Sequence, residues 1–150
     1  MTKALLLLAF GGPRSLDEVE PFLTRLFGGR KPSPDQLEKV RERYRLIGGF
    51  SPLPEITLRQ AKGLEERLNA KGHLFKSYVG MRYGHPLIEE TFREILQEGI
   101  TEIVALPMAP FQSRASTGAY IEEVNRVKAE VEKIVEMLRV MEEYMKERIK

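Results

Sequence analysis

Chemistry-bearing side chains gather in three short segments of this sequence. The first, Phe10 to Arg14, follows an apolar run and reads FGGPR. Glycines there let backbone amides approach an anion, and the helix that follows would present its N-terminus to the same ligand. The spacing is neither G-x-G-x-x-G nor a P-loop, so a plain tight strand-to-helix turn stands as the competing reading. The second segment, Met81 to Pro86, brings a cation (Arg82), a phenol (Tyr83) and an imidazole (His85) to one strand end. His85 precedes a proline, which favours extended backbone, and it reads as a cap or structural partner rather than a metal ligand. The third segment, Gln112 to Thr117, collects Ser113, Ser116 and Thr117 with Arg114 at a helix start. That set suits a carboxylate or phosphate, although N-capping alone accounts for one hydroxyl.

Composition narrows the chemistry further. The sequence has no cysteine, which excludes disulfides, thiolate nucleophiles and thiolate metal sites, and only two histidines, His73 and His85. With His73 in a surface turn, no multi-histidine metal site is expected. A net charge of +2, from 24 basic and 22 acidic residues, leaves no global field to attract nucleic acid. At 42% hydrophobic and 31% charged residues, the 150-residue chain fits one soluble domain. The apolar run Ala4 to Phe10 is too short to cross a bilayer and reads as a buried strand. A cytoplasmic location is compatible with the missing cysteines.

Alternating strands and helices must hold these segments. Lys3 to Phe10 is a continuous apolar run of the kind buried on both faces of a sheet, ended by Gly11, Gly12 and Pro13. Ser15 and Glu18 have capping-box spacing for a helix to about Phe27, and Ser33, Pro34 and Gln36 supply a second helix start. After the stiff IGGFSPLP loop, a third helix is expected from Glu55 to about Lys71, closed by Gly72. Phe75 to Met81 and Ile103 to Met108 read as strands, with a helix from Pro86 to Gln97 between them. The expected fold class is α/β, a three-layer arrangement of a parallel sheet with flanking helices. In such sheets ligands bind where loops leave the carboxyl ends of the strands, and all three chemistry-bearing segments lie there.

From Ser116 to Lys150 the sequence predicts one uninterrupted helix, since neither glycine nor proline follows Gly118. Val124, Val127, Val131, Ile134, Leu138, Met141 and Met145 alternate steps of three and four, the a/d pattern of a coiled coil. The chain is therefore divided into an α/β domain, residues 1–118, and a long helix, residues 119–150, that is a candidate oligomerisation element joining a homodimer. Apolar Val135 and Met137 lie off the seam, which favours an interface wider than a two-stranded coil.

Taken in order, LLLLAFGGP, GGRKPSP, RYRLIGGFSPL, YVGMRYGHPLIEET and GITEIVALPMAPFQSRASTGAY resemble the N-terminal half of ferrochelatases, from about Lys3 to Val127. Those enzymes insert Fe²⁺ into a porphyrin in heme biosynthesis, and their fold is two similar α/β halves around a porphyrin cleft. The resemblance implies a porphyrin-binding set of Phe10, Arg30, Arg82, Tyr83, Ser113, Ser116 and Thr117, with Lys31 beside Arg30 at the cleft lip. Phe10 takes a position that faces the macrocycle; a phenyl ring packs on it but cannot ligate iron. Arg82 would balance propionates or assist proton movement. No resident cofactor is implied, since iron and porphyrin are substrates, and no metal ligand is assigned. The histidine and glutamate that serve catalysis in the family lie in its C-terminal half, which this sequence does not contain, so the catalytic residues are left unassigned. Two expectations follow: a ferrochelatase-like porphyrin-binding domain, or an inactive half-domain or fragment whose tail oligomerises. The tail is expected to leave the family pattern from about Lys128.

Overall fold

The computed structural model describes residues 1–110 and 113–148. They fall into two units, Met1–Pro110 and Phe111–Lys150. The first is an α/β unit. Its central strand, β1 (Lys3–Ala9), is buried from Ala4 onward, because its run of leucines faces helices on both sides. The other strands are β2 (Phe75–Met81) and β3 (Ile103–Pro107), and both pair with β1 in parallel to give the order β2-β1-β3. Ala9 is opposite Met81 and Leu8 is opposite Pro107, so all three strands end along one edge of the sheet.

The connecting helices are α1 (Val19–Leu26), α2 (Pro34–Arg45), α3 (Leu53–Asn69) and α4 (Ile88–Gln97). Leu5, Leu7, Ala9, Val79 and Met81 point to one face, where Ala61, Leu64 and Leu68 of α3 cover them. The alternate residues point to the other face. There, a Cβ on Gly80 would stand 3.1 Å from Ile88 Cα and 3.3 Å from a Leu6 methyl, so α4 lies directly on the strands. The expected α/β class with a flanked parallel sheet is therefore the observed one.

Side chains close the outer edge of β2. Asn69 Oδ1 accepts the Phe75 N–H at 2.8 Å and the Glu65 carboxylate accepts that of Ser77 at 2.6 Å. The Thr91 hydroxyl donates to Val79 O at 2.8 Å, and Pro86 O accepts the Met81 N–H at 2.8 Å. Satisfying the edge in this way removes a template for strand addition. Tyr78, on the same strand, donates its hydroxyl to Glu98 at 2.7 Å. Burial, then the hydrogen bond and charge of Glu98, push its phenol up to about 12 from an ordinary 10.0. The folded chain keeps this proton over a window in which the unfolded chain releases it. The contribution of Tyr78 to stability is thus constant below pH 10 and is lost as pH rises from 10 to about 12. Tyr78→Phe should flatten that part of a denaturation-versus-pH series, and near-ultraviolet titration should lose a phenol that ionises near pH 12. An unchanged slope in the variant would assign the effect to another group.

Two helix starts separate expectation from outcome. At α2 the capping box forms in full: Gln36 N–H donates to Ser33 Oγ at 3.2 Å, and Ser33 N–H to Gln36 Oε1 at 3.0 Å. At Ser15 it does not form. The Ser15 side chain makes no capping bond, a 3-10 turn (Leu16–Glu18) precedes α1, and Glu18 binds the backbone N–H and guanidinium of Arg14 instead.

The second unit opens with Ser113, whose Oγ accepts the Ser116 N–H at 3.1 Å. A wide π turn (Arg114–Gly118) follows, and then α5 (Ala119–Arg148) runs for 30 residues, about 45 Å. The helix is thus unbroken to Arg148 as the sequence predicts, but a π turn occupies its expected start and regular α geometry begins at Ala119. Gln112, Ile149 and Lys150, which the sequence reading included, lie outside the described residues.

Candidate functional site

Strand pairing continues past the ends of β1 and β2 and carries the site residues with it. Arg82 N–H donates to Ala9 O at 3.0 Å and Tyr83 N–H to Phe10 O at 3.1 Å, so the two loops are laid side by side by their backbones. The rings follow: Phe10 and Tyr83 meet edge to face with centroids 4.8 Å apart, and Phe22 of α1 supports Phe10 from 6.2 Å. The Arg82 guanidinium lies 4.8 Å over the Tyr83 ring, a cation–π contact. Phe10 is 44% exposed. Phe10, Tyr83 and Arg82 therefore form an outward aromatic ledge with a cation at its rim.

Close packing of glycines makes this possible. Gly11, at φ +92°, lies so near the β2–α4 loop that an added Cβ would be 2.7 Å from Gly84 N. A Cβ on Gly84 would in turn meet Gly12 N and O at 2.9 Å, and one on Gly12 would meet Ser51 at 2.4 Å. Ser51 N–H also donates to Pro13 O at 2.8 Å, which ties the IGGFSPLP loop to the same place. The glycines after β1 thus serve the packing of three loops on one another, which supports the tight-turn reading of this motif.

His85 is held from both sides. Its Nε2 lies 2.9 Å from Arg25 Nη2 and its Nδ1 2.9 Å from Glu90 Oε2, while Glu90 also accepts the Leu87 N–H at 2.8 Å and so starts α4. The His85–Pro86 peptide is cis. Burial raises the Glu90 carboxyl, but the bonds from His85 and Leu87 and the nearby positive charges outweigh it, and the group is held below its ordinary range. Glu18 is likewise held low, chiefly by the Arg14 guanidinium. Among the described residues no group of three or more His, Asp or Glu side chains is arranged to hold a metal ion.

The remaining expected residues are placed separately. Arg30 stands 5.7 Å over the Phe27 ring, and Phe27 packs on the same α1–α2 cluster as Tyr83. Lys31 reaches Glu20 at 3.8 Å. Ser113, Ser116 and Thr117 belong to the second unit, where Ser113 and Ser116 hydroxyls are 2.8 Å apart. Sequence reasoning missed Arg25, Phe22 and Glu90. Glu90 had a local signal, an acid three residues after the residue before α4; Arg25 had none.

A parallel α/β sheet with an aromatic and cationic ledge at the carboxyl ends of its strands defines the class. The ferrochelatase family model matches residues 2–149, and the chain belongs to that family. The chain is 42% identical over 123 residues to a coproporphyrin III ferrochelatase of Oceanobacillus iheyensis, covering 81% of this chain and 39% of that protein. It is 37% identical over 135 residues to a ferrochelatase of Herpetosiphon aurantiacus, covering 89% and 44%. With coproporphyrin III ferrochelatase 1 of Bacillus cereus it shares 42% over 132 residues, covering 87% and 42%. The chain thus spans well under half the length of these relatives. The family match runs through α5, so the tail does not leave the family pattern at Lys128 as the sequence reading expected.

Proposed function

We propose that this chain supplies one wall of a porphyrin site that serves Fe²⁺ insertion in heme biosynthesis. The observation that carries this reading is the Phe10–Tyr83–Arg82 ledge at the strand ends of a ferrochelatase-family chain. A porphyrin packs its ring on apolar side chains and pairs its propionates with cations. Phe10 and Tyr83 offer the first and Arg82 the second. Arg30, in the same unit, is a further cation for the macrocycle's edge; Ser113, Ser116 and Thr117 belong to the second unit and are assigned by the family resemblance alone. Insertion itself requires removal of two pyrrole protons and delivery of dehydrated Fe²⁺. The metal is a substrate on this reading, Phe10 does not ligate it, and no residue is assigned as the base. Among the described residues no helix is long and apolar enough to cross a membrane, and we place the protein in the cytoplasm.

Titration with coproporphyrin III and protoporphyrin IX tests the reading, followed by Zn²⁺ insertion and, anaerobically, Fe²⁺ insertion. Tyr83→Ala and Arg82→Ala are each expected to weaken binding about tenfold, from contacts worth about 1–2 kcal/mol. Equal affinity in both variants would place the ligand elsewhere. Binding without insertion would favour the half-domain alternative.

A second reading rests on α5. Ile134, Leu138, Met141 and Met145 of the heptad seam are 38%, 52%, 53% and 58% exposed, and Val135, Met137 and Val140 beside them are more than half exposed. We infer that this apolar surface joins two copies of the chain.

A further inference from the structure

We propose that Arg25 is a positioning residue for the aromatic ledge, acting through His85 and the Tyr83 carbonyl; the role rests on the porphyrin reading above. A guanidinium has N–H donors and no acceptor. Its Nη2 is 2.9 Å from His85 Nε2, so that nitrogen must present a lone pair. The ring proton then sits on Nδ1 and is donated to Glu90 Oε2 at 2.9 Å. Arg25 thus selects one neutral tautomer of His85, and Glu90 fastens that tautomer to the start of α4 through the Leu87 N–H. The second Arg25 nitrogen, Nη1, donates to Tyr83 O at 3.3 Å. The β2–α4 loop is therefore gripped on both sides of Gly84 by one side chain.

The same helix holds the other half of the ledge. Phe22 precedes Arg25 by three residues and so shares its face of α1, and it supports Phe10 from 6.2 Å. Phe10 and Tyr83 are consequently set against each other from behind by α1, although neither belongs to it. The charged groups that face His85 are Arg25, Glu90, Glu18 and Arg14; Arg25, Glu18 and Arg14 line, with His85, a cavity of about 210 Å³.

His85→Gln separates a positioning role from a merely structural one. A carboxamide offers an acceptor and a donor, the pattern of the selected tautomer. Arg25→Met and His85→Leu are each expected to weaken coproporphyrin III binding about tenfold, the scale of a lost charge-assisted hydrogen bond. The double variant should be no weaker than either single one. His85→Gln should keep the affinity. Long-range proton–nitrogen NMR of the unmodified chain should show His85 protonated at Nδ1 only, with His73 assigned by subtraction. Protonation at Nε2, or undiminished binding in both Arg25→Met and His85→Leu while Tyr83→Ala weakens it, would overturn the role. If the unmodified chain takes up no porphyrin, the porphyrin reading fails and the positioning role with it, and the NMR tautomer alone then decides the grip. The His85 pair repeats the contrast without altering α1, should Arg25→Met not fold.

Discussion

Gly11→Ala is expected to destabilise the chain by about 2–5 kcal/mol, from two separable causes. At φ +92° an L side chain meets its own backbone, which costs about 1–2 kcal/mol. The added Cβ would also stand 2.7 Å from Gly84 N, 3.1 Å from Met81 Cβ and 3.2 Å from Gly84 Cα. Two of those atoms are backbone and cannot swing away, so overpacking adds about 1–3 kcal/mol. Gly28→Ala isolates the first cause, since Gly28 has φ +65° and nothing within 4 Å of an added Cβ. It is expected to cost only about 1 kcal/mol. Denaturant midpoints of the two variants therefore measure the loop contact by difference. Equal losses would mean that the loops after β1 and β2 are not packed backbone to backbone. Because that contact also sets Phe10 against Tyr83, a folded Gly11→Ala chain should lose porphyrin affinity where Gly28→Ala does not.

The parts of this architecture that sequence makes legible are those with a local cause. The leucine run of β1 can be satisfied only by burial on both faces, and its end is written in Gly11 to Pro13. The Ser33–Gln36 box formed because both of its bonds lie within one turn. Ser15–Glu18 has the same spacing and failed, because Arg14 offers the Glu18 carboxylate a backbone N–H and a guanidinium together. A guanidinium outcompetes the neutral Ser15 backbone N–H that the box would have offered this carboxylate. Phe10, Arg82 and Tyr83 were legible as strand-end residues, and the register that puts Ala9 opposite Met81 makes them neighbours. Arg25 was not legible, since its partner His85 is 60 residues away and nothing local marks α1 as the support of the ledge. The Ser113 hydroxyl, counted towards a ligand, is engaged by the N–H of Ser116 in capping a turn.

Ile134→Asp with Leu138→Asp is expected to convert a homodimer of this chain into monomers. Both side chains lie on the heptad seam of α5, 38% and 52% exposed, and a dimer would remove them from water. Four aliphatic side chains across two copies, at about 1.5–3 kcal/mol each from full exposure and about half of that from the exposure they have, amount to about 3–5 kcal/mol, or roughly two to four orders of magnitude in the dissociation constant. Carboxylates in their place add a desolvation penalty. The polar face of the helix does not offer an equivalent surface: there Arg126 pairs with Glu123 and Glu130, and Arg139 with Glu136, within the same helix. Intrahelical pairing of these charges leaves the apolar residues to select the partner. Sedimentation equilibrium of the unmodified chain and the double variant decides the matter. A monomer before substitution would sink the dimer. Dissociation that leaves porphyrin affinity intact would show that the ledge works within one copy, whereas joint loss of dimer and binding would mean that the second copy helps to form the cleft.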